Sequence, residues 1–425
     1  MQARAARPLL LTLFLFLYIP VAYWHGWQPT RGDIVDLPSY QYAARLAWVE
    51  HQTPYGEDAF AQASAEKGRR VHPFLYPPPS LLALWPLSLM SGPAGTAVFM
   101  VLSHLCFLGS IALLLMKITP LPQEERASNL VLLLGLIYLL LFDPAAVTLD
   151  VGQINMFALF FICLALAAIK QGKAPWHVAL PLAVAILLKT YPVLLLMPLL
   201  FRGKFREIAL TMIFFTIFVA IAALALPTEI WSSWFREVLP NGGYANNAIA
   251  AAAPWNQNIN AFVTRLFQAN PFSDAPLEHA SLARPIATVL AIIVLVVTAY
   301  FCFRSSRRQD VRNWDLEIGA CLLMLFLIAP LSWEHHFVYV LPALLLAISW
   351  LVSKEINGKW AAIVVAALCI IAWKIPFFEI SKLRGWGTLW ISLKFYPAFA
   401  LWLFFISRLR SRQVGAIDLN RPRAV

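Results

Sequence analysis

Apolar runs divided by short polar turns fill most of the chain, and two long hydrophilic excursions interrupt them. Ala94–Met116, Ile208–Leu226 and Pro285–Phe303 each reach the roughly 17 to 25 apolar residues that a simple helical crossing of a bilayer needs. Leu130–Phe142, Trp176–Leu188, Pro192–Phe201 and Leu316–Ala329 are too short to cross upright, and only "KTYP" separates the middle two. Short helices of this kind make sense where they stop on a cavity, because non-helical backbone at membrane depth is tolerated only in protein or water. The pattern predicts an all-α, polytopic integral membrane protein of about 12 transmembrane helices, with both termini inside. It is read as one domain, 1–425, with a first outer loop at 25–93 carrying juxtamembrane helices and a second long outer loop at 227–283. No internal repeat is visible, which weakens an inverted-repeat transporter.

The N-terminus sharpens this picture. Arg4 and Arg7 followed by "LLLTLFLFLYIPVA" resemble the first regions of a signal peptide, yet the bulky "YWHGW" follows where a small-residue cleavage site would be needed. Pro8–Trp24 is therefore read as an uncleaved first span with the N-terminus in the cytoplasm.

Composition agrees: 60% of residues are hydrophobic, 13% are charged and the mean hydropathy is +0.69. The net charge of +11 raises the question of nucleic acid. The basic residues, however, sit in short clusters between apolar runs, at Arg202–Arg206, Arg304–Arg312 and Arg408–Arg412. That distribution is one of membrane topology, not of a nucleic-acid face. The treatment of Tyr76–Met90, "YPPPSLLALWPLSLM", decides the threading. If it crosses, "KQGK" faces outward and Lys189 is buried in mid-helix. If it lies along the outer interface or re-enters, Lys170, Lys173, Arg202–Arg206, Arg304–Arg312, Lys354 and Lys359 all fall inside. The positive-inside bias and Pro77–Pro79 favour the second, which places Asp143–Asn155, "KTYP", 227–283 and "SWEHH" on the outer side. Cys106, Cys163, Cys302, Cys321 and Cys369 lie within apolar stretches without metal-type spacing, and read as packing residues.

Five polar clusters carry the candidate chemistry. In "DIVDLPSYQYAARLAWVEHQTPYG" Pro38 suits the first turn of a helix, with Tyr40, Ala44, Ala47 and Trp48 on one face and Gln41, Arg45 and Val49 on the other. Asp36, just before that helix, is either an ordinary N-terminal cap or a site carboxylate held at the positive end of the helix dipole. Asp33, Glu57 and Asp58 read as solvated loop acids. "DPAAVTLDVGQIN" brings Asp143, Asp150, Gln153 and Asn155 to a break between apolar helices, where buried amides must find partners. Lys189, in "ILLKTYPVLLL", either snorkels to the interface or binds an anionic group. "PWNQNIN" supplies Asn256, Gln257 and Asn258, which suit sugar hydroxyls or the capping of a loop. "LSWEHH" packs Glu334, His335 and His336 together, but adjacent histidines point apart, so zinc is disfavoured.

In their order along the chain these motifs resemble glycosyltransferase family 87, a group of membrane-embedded transferases of the GT-C superfamily that includes polyprenyl-phosphate-mannose-dependent mannosyltransferases. The resemblance rests on "DLPSYQYAARLAWVEHQTPY", "YPPPSLLALWPLSLM", "GQINMFALFF", "LKTYPVLLLMPLLFRGKFRE", "WNQNIN" and "SWEHHFVYVLP", and covers roughly Asp33 to Pro342. It implies a GT-C fold in a bacterial cytoplasmic membrane, with the active site facing outward. It also implies inverting transfer of a sugar, mannose being the family's best-known, from a polyprenyl-phosphate donor to a lipid or glycan acceptor. The family's D-L-x-x-Y pattern falls on Asp36, Leu37 and Tyr40, so Asp36 and not Asp33 would be the general base. Lys189 and one of His335 or His336 would neutralise the leaving phosphate, and Gln153, Asn155, Asn256, Gln257 and Asn258 would hold sugar hydroxyls. Tyr40, Tyr76 and Glu334 complete the substrate-binding set. The charged stretch Glu57–His72 is long for the spacer expected before Y-P-P, a departure that bears on the acceptor. No D-x-D pair stands in the outer loops, and no cofactor or metal is expected. A lipid-linked glycan flippase or solute transporter is the competing reading, and a structural subunit of an envelope-polysaccharide complex a third.

Overall fold

The computed structural model describes residues 9–20, 35–68, 71–240, 248–307, 311–353, 356–380 and 383–419. Asp33 and the end of the first apolar run lie outside the described residues. Within them the chain is all-helical, and two isolated bridges, Asn256 to Trp333 and Asn270 to Ser273, stand in place of any strand. Five described helices are long and apolar enough to cross a membrane: Gly92–Ile118, Glu125–Asp150, Phe205–Ala225, Ala280–Ser306 and Glu334–Val352. A sixth is added if Gly385–Ser392 and Phe395–Ser411, bent by 56°, form one crossing. The protein is thus a multi-pass membrane protein.

Three of these helices nearly coincide with the long runs read from the sequence. Leu130–Phe142 needs a correction, since it belongs to the 26-residue stretch Glu125–Asp150. The polar residues on either side of that run continue the helix, with a short break before Asp143, instead of ending it.

The first nine helices are α1 Leu9–Pro20, α2 Leu37–Arg45, α3 Glu57–Lys67, α4 Leu81–Ser88, α5 Gly92–Leu113, α6 Glu125–Leu140, α7 Asp143–Asp150, α8 Asn155–Lys170 and α9 Pro175–Leu188. The chain divides into two compact units. The first comprises Met1–Ile118, Phe142–Pro192 and Ala209–Ala250, and the second Thr119–Leu141, Val193–Ile208 and Ala251–Val425.

In the first unit α8 packs against both α5 and α9. The approach is closest at Gly109, where a Cβ would come within 2.7 Å of the Phe160 ring. α2 starts with Pro38 in its first turn, buries Tyr40 and Ala44, and packs on α4. Its other side is covered too. The segment beginning at Glu57, read from the sequence as a charged spacer, folds into α3, and Tyr42, Leu46, Ala63 and Val71 form an apolar cluster between the two helices. Arg45 adds ion pairs to Glu66 at 3.0 Å and Glu50 at 2.7 Å. Pairs this exposed contribute about 0–1 kcal/mol each, so the buried cluster is what holds α3 in place.

In the second unit Ala280–Ser306, Val311–Ile328 and Phe395–Leu419 pack together. Glu317 is fully buried there, and the Arg202 guanidinium meets it as a fork, Nε to Oε2 at 2.7 Å and Nη2 to Oε1 at 2.9 Å. The same guanidinium lies 5.3 Å from the centre of the Trp314 ring. A carboxylate among apolar helices is tolerated only when paired and hydrogen-bonded in this way.

Candidate active site

The centre of the first unit is a turn and a carboxylate. α7 opens with Pro144 in its first turn and is closed, past Asp150, by Gly152, whose φ of 69° lies in the left-handed region. There Gly152 N–H donates to Leu149 O at 3.1 Å and Gln153 N–H to Thr148 O at 3.0 Å, the paired closure of a Schellman motif. Val151 O, in the same turn, accepts Asp36 N–H at 3.0 Å. That bond moors the start of α2 beside Gln153.

Asp36 stands at the N-cap position of α2, yet its side chain makes no capping hydrogen bond. Its carboxylate, on a residue only 7% exposed, is bonded elsewhere. Gln153 Nε2 donates to Asp36 Oδ2 at 2.7 Å, and His72 Nδ1 lies 2.9 Å from Asp36 Oδ1. An ionised carboxylate only accepts, so the His72 proton on this bond sits on Nδ1. Gln153 Oε1 in turn accepts from the Tyr40 hydroxyl at 2.8 Å and the Tyr76 hydroxyl at 3.1 Å, and the two hydroxyls are 2.9 Å apart. The acceptor at one end and the donors at the other fix the orientation of the amide. Burial first, and then neighbouring charge including Asp36, pushes both phenols well above their ordinary range, so they serve as neutral donors.

Lys189 joins this group. α9 ends at it, with its backbone extended at φ −147° and ψ 131°. The side chain is buried and does not reach the surface as a snorkelling lysine would. Its ammonium sits 4.6 Å from the centre of the Tyr76 ring and within electrostatic reach of Asp36. A cation held on an aromatic face keeps N–H donors available to an anionic ligand. Asn155 is fully buried as the first residue of α8, and Asp143 and Asp150 begin and end α7.

The second unit holds the remaining sequence candidates. Gln257 Nε2 donates to Pro254 O at 2.5 Å and Ile391 O at 2.7 Å, while its Oε1 accepts Lys394 N–H at 3.0 Å and Phe395 N–H at 3.1 Å. All four positions of that amide are filled. Asn256 donates to Ala251 O at 2.9 Å and accepts Ser332 N–H at 2.9 Å; Asn258 donates to Ala329 O at 2.6 Å and accepts Ala261 N–H at 2.8 Å. These amides tie the loop before Ile259 to the segment that enters "SWEHH". Glu334, His335 and His336 are buried in the 3₁₀ turn Glu334–Val340, and the two imidazoles are nearly perpendicular, at 88°. His336 Nδ1 accepts Trp333 N–H at 3.2 Å. Glu334 pairs with the ammonium of Lys394, a fully buried lysine.

Two of these residues escaped the sequence reading. His72 had no spacing to connect it with Asp36, whereas Lys394, in "SLKFYP", carried the same signal as Lys189, a lone cation among apolar residues. Removing the partner of a buried charge is costly. Lys394→Met is expected to lower stability by about 3–5 kcal/mol, read as the thermal midpoint of the detergent-solubilised protein, with Glu334→Gln added in the same chain recovering part of it. A Lys394→Met protein that melts with the wild type would remove the pair from the stability of this unit.

Residues 74–330 match the model of glycosyltransferase family 87. A relative from Mycobacterium tuberculosis, described as a polyprenol-phosphate-mannose-dependent alpha-(1-2)-phosphatidylinositol mannoside mannosyltransferase, is 24% identical over 366 residues, which cover 84% of this chain and 79% of the relative. The protein of the same description from Mycolicibacterium smegmatis is 24% identical over 382 residues, 85% of this chain and 80% of its own length. A second Mycobacterium tuberculosis relative, the corresponding phosphatidylinositol pentamannoside mannosyltransferase, is 24% identical over 435 residues, 97% of this chain and 91% of its own.

Proposed function

The chain belongs to glycosyltransferase family 87, and from that membership we propose that it transfers mannose from a polyprenyl-phosphate donor to a hydroxyl of a lipid or glycan acceptor, with inversion and with Asp36 as general base. The observation that carries this reading is the Asp36 carboxylate, buried at a helix start it does not cap and aimed instead into a network of Gln153, Tyr40, Tyr76 and His72.

The acceptor oxygen attacks the anomeric carbon while its proton passes to Asp36. The bond from that carbon to the phosphate oxygen breaks, and its electron pair leaves on polyprenyl phosphate. General-base assistance is worth about 10²- to 10⁴-fold, so positioning and charge stabilisation must supply the rest. Lys189 is assigned to the developing phosphate charge, a compact cation already desolvated against Tyr76. Gln153 donates to the base and is itself braced by Tyr40 and Tyr76, and the three offer polar contacts to the sugar, with Asn155 beside them. The substrate-binding roles of Glu334, His335 and His336 rest on the family resemblance alone. Asn256, Gln257 and Asn258 act through the loop they brace.

The reading includes about 12 crossings, counting the shorter apolar helices, a long first outer loop, and a reaction on the outer face of a bacterial cytoplasmic membrane. The positive-inside threading supports that orientation.

Purified protein, given radiolabelled polyprenyl-phosphate-mannose and a membrane-lipid extract, is expected to move label into a new lipid or glycan product. A protein that leaves the label on polyprenyl phosphate but carries it across the wall of a sealed vesicle would be a flippase, and the transferase reading would be wrong.

A further inference from the structure

The charged segment before Y-P-P ends on a histidine that touches the proposed base. We infer that His72 is a positioning residue for Asp36, and that α3 exists in this chain to deliver it. The inference rests on the assignment of Asp36 as base and adds what holds that base in place.

The delivery is built into the fold. α3 is fixed to α2 through Tyr42, Leu46, Ala63 and Val71. Val71 N–H donates to Ser64 Oγ at 3.0 Å, which ties the residue before His72 to α3. Pro73 follows, and a residue that precedes proline is held to extended backbone. Phe74 then packs into a ring cluster, 5.7 Å from Tyr55 and 5.4 Å from Tyr76 between ring centres. His72 is therefore anchored on both sides while its imidazole reaches Asp36. A small hollow between the two helices, lined by Ser39, Tyr42, Ala63, Val71, Phe74 and His72, lies beside that contact.

The contact has a consequence for the carboxylate. Gln153 holds Oδ2 and His72 holds Oδ1, so the plane of the group is restrained from turning. The His72 side chain is 35% exposed and that of Asp36 only 10%. The imidazole thus stands between a buried base and the more open side of the unit. Without it Oδ1 would lose this contact, and the base would be held less firmly in the orientation that meets the acceptor.

The two ring nitrogens give a sharp test on the full-length protein. Asparagine places its amide donor near the position of Nδ1, and glutamine places its own nearer Nε2. His72→Ala and His72→Gln are expected to lower kcat by about 10- to 100-fold with donor KM unchanged within about twofold, while His72→Asn keeps most of the wild-type kcat. Wild-type kcat in His72→Ala, a loss confined to KM, or an equal loss in all three variants at unchanged thermal midpoint would overturn the role. Asp36→Asn in the same series keeps the two ideas apart. If it transfers at the wild-type rate the base assignment falls; if it is inactive while His72→Ala is unimpaired, only the positioning role falls. A readout independent of turnover is the ¹⁵N spectrum of histidine-labelled protein. One imidazole whose Nδ1 carries a proton hydrogen-bonded to a carboxylate should be present in the wild type, missing in His72→Asn and changed in Asp36→Asn, and its absence from the wild type would equally overturn the inference.

Discussion

Asp36→Asn is expected to reduce mannosyl transfer by about 10²- to 10⁴-fold while polyprenyl-phosphate-mannose still binds near its wild-type affinity. The substitution keeps the size of the side chain and removes the carboxylate assigned to take the acceptor's proton. Asparagine also disturbs the clamp, because Gln153 Nε2 and His72 Nδ1 both donate to this side chain and an amide offers only one oxygen. Some stability is lost with it, about 1–3 kcal/mol for a buried donor left without a partner. Thermal midpoint and transfer rate therefore have to be measured on the same preparation. A variant that is folded, binds donor and transfers at the wild-type rate would remove Asp36 from the chemistry.

Lys189→Met is the second large effect. Methionine has similar length and no charge, so it can fill the space against Tyr76 without offering a cation to phosphate. The expected cost is about 10²- to 10³-fold in kcat/KM, the range seen when a preorganised electrostatic partner is removed from a developing anion. Binding of the product, polyprenyl phosphate, should weaken as well, since it carries the charge that Lys189 is assigned to meet. Stability should move the other way. Its ammonium lies on an aromatic ring and not on a carboxylate, so replacing it with an apolar side chain is expected to raise the thermal midpoint even as activity falls. A Lys189→Met protein with wild-type kcat/KM would assign the lysine to packing alone.

What could be read from the sequence depended on whether the relevant physics was local. Apolar length is local, and Gly92–Ile118, Phe205–Ala225 and Ala280–Ser306 were visible as runs because any helix that crosses lipid must be apolar for that length. The pattern failed at Leu130–Phe142, where polar residues on both sides continue the helix and apolarity alone could not mark its ends. It failed again at α3. Its charged residues gave no strong periodic face, and what folds it is a cluster with Tyr42 on α2 and Leu46 just after it. Asp36 shows the same limit at the site. Its place before a proline-started helix was legible, but the direction in which its side chain turns was not. That direction is set by Gln153, 117 residues away. The amides of Asn256, Gln257 and Asn258 drew notice by their type, yet residue type does not encode the partner, and here the partners are main-chain groups on neighbouring segments.

The most direct measurement is the anomeric configuration of the sugar in the isolated product, determined by NMR after transfer from polyprenyl-phosphate-mannose of known configuration. A single direct displacement, with Asp36 removing the acceptor's proton as the phosphate leaves, requires inversion, so the product linkage should be opposite to that of the donor. Retention of the donor's configuration would exclude a single back-side displacement and would contradict the assignment of Asp36 as its general base.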